Sequence, residues 1–162
     1  MKDVEINGRV IGYSEIAREA TAGDSRKPQA ERMAEAKRAL AVRELLLQEA
    51  DRQGIVPEPQ PLGEALREGE TEAKIRQLLA RQVTVPRADE AACRRYFDNN
   101  RARFDKMAAN GVAAFEEVRE AIAAYLEEAA WRRAVAQYIA LLAGRAEIRG
   151  VRLDGASTPL VQ

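Results

Sequence analysis

Histidine is absent from all 162 residues, and cysteine occurs once, at Cys93. The first absence removes Ser-His-Asp and Cys-His catalysis together with the common histidine metal sites. A single thiol can form neither an internal disulfide nor a thiolate zinc site, and it suits a reducing compartment. Net charge is missing too, since 26 basic residues balance 26 acidic ones. Nucleic-acid and anionic-membrane partners usually call for a basic surplus, so neither is expected. The longest apolar run, YIALLAG at 138–144, is far short of the ~20 residues that span a bilayer. The start, MKDVEINGRV, is charged and alternating, unlike a secretory signal. These absences predict a soluble cytoplasmic chain (periplasmic if a signal has been removed) with no cofactor, no metal and no enzymatic site.

What is present is helix. From Phe115 to Gly144 there is no proline, the only glycine is the last residue, and Ala, Leu, Glu and Arg dominate. Phe115, Val118, Ile122, Tyr125, Leu126 and Ala129 follow the three-and-four spacing of one face, and Trp131, Val135, Tyr138, Ile139 and Leu142 continue it. Gly144 is placed to cap the end. Such a helix is about 40–45 Å long and cannot bury its stripe alone.

Upstream, Val4–Gly12 reads as a hairpin or a strand broken by a turn, because Asn7-Gly8 tolerates positive φ at both central turn positions. Ser14 is placed to cap a short helix to about Thr21. Pro28 suits the first position of a helix running to Gln53, where Gly54 stops it. Pro57, Pro59 and Pro61 forbid helix in the next stretch, which reads as an extended connector. Leu62–Glu68 has room for a turn or two. Helices are expected at 29–53, 71–83, 87–99 and 113–143, with a bend at Arg101–Phe104. After the long helix, Ile148 and Leu153 bracket a glycine kink at Gly150. The residues from Asp154 on show no periodicity and are expected to fray. Neither β-like end is stable alone, so the last strand should return to pair with the first. The fold class is therefore all-α, with a small β element joining the N- and C-terminal strands.

The order VEINGRVIGYSEI, ALAVRELLLQEA at 39–50 and ETEAKIRQLLARQVTVPRADEAACRRYFDNNRARF at 70–104 resembles the chaperone module of the SurA-like and NifM-like parvulin family. In that family the chain next enters a prolyl isomerase domain and then returns through a helix like that at 115–153. Here Phe104 is joined to Phe115 by ten residues, DKMAANGVAA. The resemblance implies one helical chaperone-like domain over 1–162, comprising an N-terminal region (1–104), a link (105–114) and a returning helix and strand (115–153). It does not carry isomerase activity, because the catalytic domain and its histidines are absent from this sequence.

The expected function is a non-catalytic chaperone or assembly module holding unfolded or immature polypeptide clients through apolar helix faces. The candidate client-binding residues, chosen for apolarity and position, are Leu45, Leu46, Leu79, Tyr96, Phe97, Tyr125 and Trp131. The alternative is a structural helical interaction protein that forms a homodimer, with exchange of the C-terminal helix as one route to it. Cys93 reads as a small core residue rather than a reactive thiol. Arg94-Arg95 with Arg101 and Arg103 reads as a solvated face. Glu116-Glu117 and Glu127-Glu128 are adjacent pairs pointing about 100° apart, so they do not converge as an acid–base site.

Overall fold

The computed structural model describes residues 3–153. In chain order these form β1 (Val4–Ile6), β2 (Arg9–Ile11), α1 (Tyr13–Ala22), α2 (Gln29–Arg52), α3 (Glu70–Gln82), α4 (Glu90–Asn99), α5 (Arg101–Met107), α6 (Phe115–Arg145) and β3 (Ile148–Arg149). The fold is mainly helical with one small antiparallel sheet. Where the sequence suggested one domain throughout, the chain divides into two compact units. One comprises residues up to Val83 and from Val135 on, the other Thr84–Ala134, so one border falls inside α6.

In the first unit, Asn7 (φ 49°) and Gly8 (φ 88°) make the tight turn between β1 and β2. The strand order is β2-β1-β3, with Ile6 opposite both Arg9 and Ile148. The expected return of the last strand to the first is thus present. Asn7 secures it: its backbone N–H donates to the Glu147 carbonyl at 2.8 Å, and its Oδ1 accepts from Glu147 N at 2.8 Å. The Asn7 amide also donates to Gln48 Oε1 at 2.8 Å, and Gln48 Nε2 donates to the Ile6 carbonyl and to Glu44. Glu44, nearly buried, pairs with Arg9 at 2.9 Å. One polar chain therefore ties the hairpin to α2 and to the residue that leads into β3.

Val4 and Ile6 alternate with Glu5 along β1, and both enter a core with Ile11, Ile16, Met33, Leu40 and Leu45. On α2 the buried residues include Leu40, Ala41, Val42, Leu45 and Leu46, which cannot share one narrow face. The reason is that α2 packs against α1, α3 and β1 together.

In the second unit, Asp89 caps α4 by accepting from Ala92 N at 2.7 Å. Cys93, Phe97, Ala113, Phe115 and Ile122 form its core. Asp105 Oδ1 accepts from Ala113 N at 2.8 Å and fixes the link between α5 and α6.

Several local expectations change. Gly12, not Ser14, stands at the start of α1, its carbonyl accepting from Glu15 and Ile16 as the chain leaves β2 in extended conformation. Pro28 is the cap residue of α2 rather than its first helical one. α4 opens at Glu90 rather than 87, where Asp89 supplies the capping carboxylate. The bend at Arg101–Phe104 is helical, because Asn100 closes α4 and its own carbonyl accepts from Arg103 and Phe104. Gly144 lies within α6, which continues to Arg145 so that Ala143 and Ala146 pack on the core. Leu62–Glu68 is not helical but a miniature hairpin, with Leu62 N donating to Leu66 O and Glu68 N to Gln60 O, each at 2.8 Å. The residues from Asp154 on, expected to fray, lie outside the described residues.

Candidate functional site: an aromatic face on the second unit

The sequence-derived client residues separate by burial. Leu45, Leu46 and Leu79 are buried in the first unit, and Phe97 is buried in the second. Each fills space between its own element and its neighbours, so none offers apolar surface to another chain. Trp131 and Tyr96 are half-buried, and Tyr125 is 52% exposed. Cys93 is a buried free thiol, as a small core residue should be.

Tyr96 and Tyr125 belong to an aromatic cluster, which Trp131 does not join. Tyr96 on α4 meets Tyr125 on α6 with ring centroids 5.3 Å apart, and meets Phe104 on α5 edge-on at 6.2 Å. Beneath them Phe97 contacts Phe104 at 5.4 Å and Phe115 at 5.7 Å. Arg94 lies over the Phe115 ring at 4.3 Å and Arg101 over Phe97 at 5.0 Å. Such contacts contribute about 0.5–1 kcal/mol each at exposed positions. Partial burial pushes the Tyr96 phenol above its usual range, with the Tyr125 hydroxyl bond reinforcing the effect. One turn beyond Phe104 on α5, Met107 is 76% exposed, and Val112 in the following link is exposed as well.

Phe104 was missed from the sequence because a bend was expected where α5 forms, and Met107, which could line an adaptable apolar groove, reads from the sequence as core or loop filling by default. Their spacing of three residues was the available signal, since three-apart side chains share a helical face.

The charged groups around this face are engaged separately. Glu116 pairs with Arg94, Glu127 accepts from Ala88 N at 2.9 Å, and Glu128 pairs with Arg132. A groove of about 510 Å³ between α4 and α6 is lined by Ala88, Cys93, Ala123 and Ala124 together with charged residues of both helices. In the first unit a hollow of about 480 Å³ lies beside Leu45, Arg52, Leu142 and Arg145. Hydrogen bonding from Arg52 holds the Glu49 carboxyl there below its usual range against the effect of burial. Among the described residues no cluster of three or more His, Cys, Asp or Glu side chains is placed to hold a metal ion. No helix among them is long and apolar enough to cross a membrane.

Comparison with known proteins returns no family model, no curated protein and no solved structure that matches this chain.

Proposed function

We propose that the chain is a non-catalytic polypeptide-binding module of chaperone type, acting in a reducing compartment such as the cytoplasm on unfolded or immature clients. The observation that carries this reading is the aromatic face of the second unit, with Tyr125 exposed against Tyr96 and Met107 exposed one turn beyond Phe104. Tyrosine offers a large rigid apolar body with a polar tip, and methionine adapts to irregular apolar partners. Together they favour contact with many sequences over recognition of one. The resemblance to parvulin-type chaperone modules points the same way, on the order of elements.

The test is aggregation of a chemically denatured client, followed by light scattering. A several-fold molar excess of the chain should suppress scattering, and Tyr125→Ser combined with Met107→Ser should remove most of that effect while leaving the circular dichroism unchanged. No suppression by the unaltered chain at that excess refutes the proposal.

A further inference from the structure

Between α2 and α3 the chain crosses Val56-Pro57-Glu58-Pro59-Gln60-Pro61 with no helix or strand of its own until Pro61. Each residue before a proline is restricted to extended backbone, so the alternating prolines keep this stretch drawn out. Its exposure alternates: Pro57 and Pro59 are half-buried, whereas Val56, Glu58 and Gln60 face solvent.

The stretch is held on α3 mainly through its main chain. The Gln77 amide donates to the Val56 carbonyl at 2.9 Å, while Gln77 Oε1 accepts from Glu58 N at 2.8 Å. Arg76 Nη2 donates to the Glu58 carbonyl at 2.9 Å. Arg76 also grips Glu68 through both Nε and Nη2, and Glu68 Oε2 accepts from Gln60 N at 3.2 Å. Thus one side-chain amide stands in for a neighbouring peptide group, pairing with one donor and one acceptor of an extended chain. None of these bonds depends on the side chains of Val56 or Glu58. Pro57 and Pro59 are the residues turned inward.

We infer that this face of α3, built on Arg76 and Gln77, is a binding site for extended X-Pro-X-Pro segments of a partner polypeptide, occupied here by the chain's own residues 56–61 as an internal competitor. The seated segment defines the ligand: prolines at alternate positions, with the intervening peptide groups free to bond Gln77 and Arg76. An internal segment competes at an effective concentration on the order of millimolar, so partner binding requires the strap to lift. Val56 is already exposed, so lifting the strap uncovers chiefly Pro57 and Pro59. This site lies in the first unit and stands independently of the aromatic face.

The experiment is an NMR titration of the ¹⁵N-labelled full chain with the peptide IVPEPQP and with the control IVAEAQP. Pro57→Gly with Pro59→Gly loosens the strap without touching α3. A tenfold rise in the open fraction lowers the apparent dissociation constant about tenfold. The expected result is that IVPEPQP moves the Gln77 side-chain amide resonance of this variant at roughly tenfold lower concentration than in the unaltered chain. The control peptide should do so weakly, and adding Gln77→Leu should abolish the response. Unmoved Gln77 resonances in the loosened variant at millimolar peptide overturn the inference, as does equal binding of the control. A concentration-dependent rise in mass of the unaltered chain that Gln77→Leu reverses would instead make the occupant a second copy's strap, and would overturn the heterologous assignment.

Discussion

Two glycines close together near the C-terminal end have opposite roles, and the difference is geometric. Gly150 has φ +82°, and a Cβ built there would lie 2.1 Å from the Asp3 carbonyl oxygen. Gly144 sits inside α6, and an added Cβ meets nothing within 4 Å. Gly150→Ala should therefore destabilise the first unit by about 2 kcal/mol or more, through strained backbone and a clash with the strand it must approach. Gly144→Ala should stabilise it by about 0.5–1 kcal/mol, because alanine loses less conformational freedom in a helix. Urea denaturation of the two variants checks both signs. The kink at Gly150 was legible in the sequence, as was the Asn7-Gly8 turn, because both demands are local to the backbone. The helical place of Gly144 was not, since what carries α6 past it is the packing of Ala143 and Ala146 on distant residues.

At the scale of elements, helix existence followed from periodicity and composition, while helix neighbours did not. The wide apolar surface around Leu45 and Leu46 implied a helix buried between neighbours, and α1, α3 and β1 do cover it, so these two residues are closed to a client. Tyr125 lies on an equally apolar face and is left open. Sequence pattern reports that a face is apolar, and only the count of covering elements says whether it is spare. The proline stretch shows the same limit: its extended backbone was predictable, its attachment to Gln77 and Arg76 was not. That attachment carries a pH signature. The hydrogen bond from Arg76 holds the Glu68 carboxyl below its usual range, aided by the Gln60 N–H and opposed by desolvation. A carboxylate with a lowered folded-state pKa gives its full contribution above the ordinary glutamate value and loses it as pH falls through the lowered one. The Glu58 and Gln77 amide resonances should therefore shift together on acidification, with a midpoint below the ordinary glutamate range. Glu68→Gln should abolish that step.

At the scale of the molecule, the first unit is assembled from both ends of the chain and the second from the residues between them. Ending the chain after Glu147 removes β3 with Ile148 and also Val151 and Leu153, all packed against the core of the first unit. Burial of large apolar side chains contributes about 1.5–3 kcal/mol each, less when partial, so this truncation should cost roughly 3–5 kcal/mol. Hydrogen exchange of the Glu5 and Asn7 amides, followed with the denaturation midpoint, checks it. By itself the sequence determined the helical class, the tight first turn, the lack of any histidine-based chemistry and the need for its two β-forming ends to meet. Those follow from local propensity, composition and the instability of a lone strand. Only the tertiary structure decided where the chain divides, which apolar residues stay open to a partner and what the proline stretch rests on. Each of these depends on contacts between residues far apart in the chain, which no local pattern encodes.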